Sequence, residues 1–260
     1  MRITLIGSGN VATHIGAAFK NAGHYIVQVY SPNLQHAALL AYHIKAEAID
    51  DLKQINAETD VFIISVKDDA IEGIAKQLAV HNKLILHTSG STDIKVLLKY
   101  AGMAGVFYPL QTFSRSKELN FRNVPLCLEA ANDEILSQIK ELAQTVSNQV
   151  YEVNSHQRRV LHLAAVFACN FPNYLYHIAQ QLLSDHQLDF DMLKPLITET
   201  ADKVQQRLPA YVQTGPAVRK DTITMDKHLE MLQNEPLMAQ IYSLLSQGII
   251  KMDKGTNGNK

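Results

Sequence analysis

A glycine-spaced turn, Gly7-Ser8-Gly9-Asn10-Val11-Ala12, opens the chain between an apolar run and a helical pattern. It narrows the available folds more than any other feature. In a G-x-G-x-x-A turn the first glycine permits a tight strand-to-helix bend. The second lets the backbone approach a pyrophosphate, and the small third residue lets helix and strand pack closely. The helix N-terminus then directs unbonded amides at the phosphates. Here "RITLI" supplies the strand, "VATHIGAAFKNAG" a helix ended by Gly23, and "YIVQVYS" the second strand. Gly7, Ser8, Gly9, Asn10 and Val11 are therefore candidate cofactor-binding residues. A tight turn without a ligand is the other reading of the same spacing.

The following residues keep the alternation. The runs "VFIISV", "KLILHTS", "GVFYPL", "VPLCLEA" and "QVYEV" read as strands, several of them separated by helical patterns. Alternating strands and helices predict βαβ units and a mostly parallel sheet covered on both faces. From Ser155 onward the strand signal stops and helical patterns follow, the first of them interrupted by Pro172. The expected architecture is α/β: a doubly wound parallel sheet domain over 1–153 and an all-helical domain over 154–253. The polar, glycine-containing tail over 254–260 is expected to be disordered.

A dinucleotide site of this kind often carries an acid about 20 residues past the glycines, where it binds a free ribose 2′-hydroxyl. At the end of the second strand this chain has Tyr30-Ser31-Pro32-Asn33, and its first acidic residue is Glu47. An acid would repel a 2′-phosphate, whereas Ser31 and Asn33 can donate to one. The pattern favours NADP, with NAD as the alternative. Ser31 and Asn33 also suit a turn beginning at Pro32, which is the structural reading of the pair.

Ligands of open parallel sheets sit beyond the carboxyl ends of the strands. Three further strand ends are thus candidates: Val66-Lys67-Asp68-Asp69, His87-Thr88-Ser89-Gly90-Ser91, and Tyr108-Pro109-Leu110-Gln111. Val66 would adjoin the cofactor. His87 is a residue type that carries protons near neutral pH, and Ser89 either assists it or caps the next helix. Asp68 and Asp69 suit a helix N-terminus. In the helical half, His162, Asn170, Asn173 and His177 fall in one narrow stripe at 100° per residue, which either walls a cleft or forms a solvated or intersubunit face. In "TGPAVRKDTITMDKH", Arg219 either binds a substrate carboxylate or phosphate or pairs with Asp221, which also suits a helix cap.

The motifs "GSGNVA", "HTSGS", "YPLQTF", "HLAAVFACNF" and "TGPAVRKDTITMDKH" together resemble Rossmann-like proteins carrying a C-terminal DUF2520 domain, over residues 1 to about 250. The resemblance implies an NADP-binding oxidoreductase of the F420-dependent type, with F420 itself supported only by that family label. It also implies kinship with pyrroline-5-carboxylate reductases and β-hydroxyacid dehydrogenases, a site between the two domains and a homodimer formed through the helical one. Its substrate would be a small carbonyl, imine or hydroxy compound. Tyr108 stands where a histidine is expected in a His-Pro-Leu motif, and neither Lys95 nor Lys203 is a convincing counterpart of the dehydrogenases' catalytic lysine. The expected chemical set is therefore His87, Ser89 or Tyr108 for the proton, with Asn170 and Arg219 for the substrate. A nucleotide-binding sensor or regulatory dimer without turnover is the rival reading, because fold alone does not fix activity.

Bulk properties exclude other classes. A formal net charge of −1 provides no field for nucleic acid or anionic membranes. Cys127 and Cys169 fit neither a disulfide framework nor a zinc site. With no basic leader ahead of the first strand, they point to a reducing, cytoplasmic location.

Overall fold

A computed structural model describes residues 1–114 and 117–256 of the chain, with side chains described through 252. The chain forms two compact units, Met1–Phe171 and Pro172–Lys260.

In the first unit, elements run β1 (Arg2–Ile6), α1 (Asn10–Asn21), β2 (Tyr25–Tyr30), α2 (Leu34–Ile44), β3 (Glu47–Ile49), β4 (Val61–Ile64), α3 (Asp68–Leu78) and β5 (Leu84–His87). They continue as α4 (Lys95–Leu98), β6 (Ala104–Pro109), β7 (Leu126–Ala130), α5 (Asp133–Gln144), β8 (Val150–Glu152) and α6 (Ser155–Ala165). One sheet orders the strands 3-2-1-4-5-6-7-8. The first six follow the dinucleotide-binding order, with the reversal of winding between β1 and β4. The pair β6–β7 is antiparallel, while β7–β8 is parallel. The short strand β3 was not anticipated by the sequence pattern. Three residues are too few to register an alternation.

Why these residues form these elements is clearest at α1. Ala12, Ile15, Gly16 and Phe19 are buried at helical spacing. A Cβ on Gly16 would come within 2.7 Å of Leu5 Cδ1, so the helix lies close on β1. One sheet face carries Ile3, Leu5, Val61, Ile63, Leu84 and Leu86, with α1, α2 and α5 packed on it. The opposite face carries Ile6, Ile64 and Ile85 and continues through Val106, Tyr108 and Cys127. Register aligns Tyr30, Ile6, Ile64 and His87 in one row, so their strands end together. The loops that follow this row share one edge.

The helical sequence begins at Ser155 as the pattern predicts, but α6 belongs to the first compact unit, so the division falls 18 residues beyond 153. A buried network described below ties α6 to the sheet. A π-helical turn, Val166–Asn170, follows it. Pro172 lacks the N–H that would bond one turn back, and a wider turn accommodates that loss.

The second unit contains most of α7 (Phe171–Asp185), then α8 (Lys194–Gln206), α9 (Pro209–Val212), α10 (Pro216–Arg219), α11 (Thr222–Met231) and α12 (Pro236–Thr256). Helix α12 runs three residues into the expected tail, and 257–260 lie outside the described residues. Among the described residues, no helix is long and apolar enough to cross a membrane.

Candidate dinucleotide and proton-transfer site

The strand ends of the first unit enclose a cleft of about 930 Å³. This lies near the upper end of the usual range for ligand sites. Gly7, Ser8, Gly9, Asn10, Val11, Ser31 and Val66 line one part of it; Ser89, Gly90, Tyr108 and His162 line another. Gly7 has φ +120°, and a Cβ there would lie 2.3 Å from the Ser65 carbonyl oxygen, so only glycine fits. A Cβ on Gly9 would meet nothing within 4 Å. Gly9 also provides no side-chain cap for α1, whose first turn contains no acid. An uncapped helix start opening into space beside a bare backbone fits a pyrophosphate. The Asn10 side chain is occupied, donating to the Phe113 carbonyl at 3.0 Å.

At the end of β2, Ser31 is buried against the cleft and no carboxylate accompanies it. Among the described residues its hydroxyl accepts one long bond, 3.4 Å, from the Asn33 amide. Asn33 caps α2, its Oδ1 accepting from the Gln35 and His36 amides at 3.0 and 3.3 Å. The two sequence readings of this pair thus divide between its members. Ser31 lines the cleft, whereas Asn33 Oδ1 is committed to the helix.

Tyr108 and His162 meet over Gly90. The Tyr108 hydroxyl lies 3.1 Å from His162 Nδ1. A Cβ on Gly90 would stand 2.7 Å from that nitrogen and 2.9 Å from Tyr108 Cζ, so the pair closes only over a glycine. Burial pushes the Tyr108 phenol up to about 12, with the nearby Cys127 adding to the effect and Arg158 opposing it. The phenol is neutral at physiological pH. His162 is exposed.

Ser89 lines the cleft but does not cap α4, whose N-cap position is Ile94. The Ser89 hydroxyl oxygen accepts from the Ser91 and Thr92 amides at 3.1 and 2.9 Å, forming the turn into the next segment. Its own hydrogen has only a long partner among the described residues, Ser91 Oγ at 3.4 Å. Ser91 in turn donates to Asp68.

His87 has no place at the cleft. It is fully buried, its Nδ1 accepting from the Ser89 amide at 3.1 Å, while Nε2 has no hydrogen-bond partner among the described residues. Desolvation, then the charge of Arg158, pulls its pKa down to about 3, so it stays neutral at physiological pH and supports the Ser89 turn. Asn170 is exposed on the π-helical turn and does not line the cleft. Arg219 ends α10 in the second unit, exposed and without an ion pair among the described residues. Asp221 caps α11, accepting from the Thr224 amide and hydroxyl at 3.1 and 2.7 Å, which holds its carboxyl below the usual range.

Sequence reasoning missed Arg158 and Glu129, which form an ion pair, Arg158 fully buried and Glu129 partly so, on the sheet face that carries Tyr108. The available signal was Arg158 one turn before His162 on a helix that begins with an Asn-x-x-Gln capping box.

Strand order, glycine cradle and cleft define a dinucleotide-dependent enzyme of the doubly wound class. Residues 2–89 match the family described as NADP oxidoreductase, coenzyme F420-dependent, and residues 124–249 match the domain of unknown function DUF2520. A Bacteroides fragilis protein assigned to the NADP oxidoreductases is 42% identical, with 96% of this chain and 98% of that one covered at a TM-score of 0.91. The chain belongs to this family of NADP oxidoreductases with a DUF2520 domain. Pyrroline-5-carboxylate reductase from Streptococcus pyogenes shares the fold at 15% identity, 98% coverage of each chain and a TM-score of 0.62. So does an imine reductase from Myxococcus stipitatus in complex with NADP+, at 12% identity, with 100% and 95% coverage and a TM-score of 0.67. No curated protein matches this chain in sequence.

Proposed function

We propose that this NADP oxidoreductase reduces the C=N or C=O bond of a small molecule, with Tyr108 delivering the proton. The observation that carries the reading is the Tyr108–His162 pair closed over Gly90 in the cleft of the glycine turn. The first-turn amides of α1 and the bare backbone at Gly9 would hold the pyrophosphate, Ser31 the 2′-phosphate, and Val66 would adjoin the cofactor. When bound, the reduced cofactor supplies a hydride. Tyr108 keeps its proton at neutral pH, and releases it as negative charge develops on the substrate nitrogen or oxygen. His162 returns a proton from solvent through Nδ1. Ser89 offers its remaining hydrogen to the same substrate atom. The fold shared with reductases of pyrroline-5-carboxylate and of imines supports a C=N substrate.

We also propose a homodimer built through the helical unit, because Ala217 and Leu232 are its only buried hydrophobic residues among the described ones. A reducing, cytoplasmic setting suits the free Cys127 and Cys169.

The test is Tyr108→Phe, assayed for NADPH oxidation with small cyclic imines and 2-keto acids. Turnover should fall by about 100-fold or more while NADPH affinity is kept. Undiminished turnover would remove Tyr108 as the donor. Absence of NADPH-induced thermal stabilisation in the unmodified protein would overturn the cofactor site.

A further inference from the structure

We propose that Arg158 and Glu129, neither of which lines the cleft, are positioning residues: a buried latch that fixes α6 so that His162 meets Tyr108. The inference rests on the role proposed above for that pair. Arg158 is fully buried, and its guanidinium pairs with the Glu129 carboxylate. The same guanidinium donates to the Thr92 carbonyl at 2.5 Å and to Ser155 Oγ at 3.1 Å. Glu129 also accepts from the Ser155 amide at 3.0 Å and the Ser155 hydroxyl at 2.8 Å. Ser155 Oγ accepts from the Ile94 amide at 3.1 Å. One network therefore joins the first turn of α6 to β7 and to the segment after β5.

That segment contains Gly90, and β7 lies beside β6, where Cys127 pairs with Tyr108 and Glu129 with Val106. The latch thus grips both supports of the proton-transfer pair. His162 lies four residues after Arg158, on the same helix face. A buried ion pair is weak evidence of stabilisation, because desolvation offsets its attraction. It does provide directional bonding, and a planar fork reaching three acceptors holds rotation and register more tightly than apolar contact. Arg159, on the exposed side, adds a bond to Asp93 at 3.1 Å.

The test compares the wild type with Arg158→Lys and with the double variant Arg158→Met/Glu129→Leu, which leaves no unpaired buried charge. The readout is the imidazole nitrogen NMR signal of His162, assigned by its loss in His162→Gln. Thermal stabilisation by NADPH serves as the folding control. In both latch variants, the His162 signal should move to the position it takes in Tyr108→Phe. Imine turnover should fall roughly 100-fold, as expected for a displaced catalytic contact. Added to His162→Gln, the latch variants should cost nothing further, since a residue acting only through another shows full coupling. Multiplicative losses, or an unmoved His162 signal in latch variants that fold, would overturn the latch. If Tyr108→Phe retains full turnover while the latch variants still shift His162, the proton-donor reading fails and the latch stands.

Discussion

Burial and the neighbouring Arg158 guanidinium keep His87 neutral down to about pH 3. The linkage has a definite sign. Above pH 6.5 neither folded nor unfolded chain protonates this residue. Below it only the unfolded chain does, so stability declines as pH falls from 6.5 towards 3, by on the order of 4–5 kcal/mol. His87→Asn, which keeps an acceptor for the Ser89 amide, should flatten the acid side of a melting-temperature profile; an unchanged slope would mean the site is hydrated. Gly90 gives a second prediction. Gly90→Ala should displace His162 from Tyr108, lower turnover and leave NADPH binding intact, because its methyl group would take up the space of the two rings. Turnover equal to the wild type would mean that the pair adjusts. At this scale the sequence revealed residue types but not their surroundings. His87 and Tyr108 were equal candidates by chemistry. Register puts both on one sheet face, yet only Tyr108 reaches the cleft.

Among the elements, α6 connects local sequence to the site. Asn154 accepts from the Gln157 amide at 2.9 Å, and the Gln157 side chain accepts from the Asn154 amide at 3.0 Å. Asn154→Ala should lower stability by about 1 kcal/mol, seen as a reduced denaturation midpoint, and a neutral result would mean that the buried latch alone fixes the helix start. Seven of the eight strands were legible, because each presents a run of β-branched and apolar residues long enough to read. The three residues of β3 were not, and neither was the antiparallel turn of β7, since strand direction depends on pairing across the sheet. Pro172 announced a disturbance in the long helix. Its outcome as a π-helical turn depended on backbone bonding beyond the reach of a propensity.

For the whole molecule, the two units contrast in burial. The first has a continuous core on both sheet faces. The second leaves Leu208, Tyr211, Met231 and Leu244 about 70% exposed. The proposed dimer would cover these open apolar helix faces. The proposed dimer should appear as twice the chain mass in sedimentation, with a melting temperature that rises with protein concentration. Leu244→Glu should shift it towards monomer, whereas a monomeric wild type with concentration-independent melting would refute the pairing. The sequence by itself determined the layered α/β half, the helical half and the dinucleotide turn, because periodicity and glycine spacing act over a few neighbouring residues. Tertiary structure alone decided which polar side chains meet at the cleft. Tyr108, Gly90, His162 and the Arg158–Glu129 pair come from separated segments, and their protonation, spacing and burial exist only once those segments pack together.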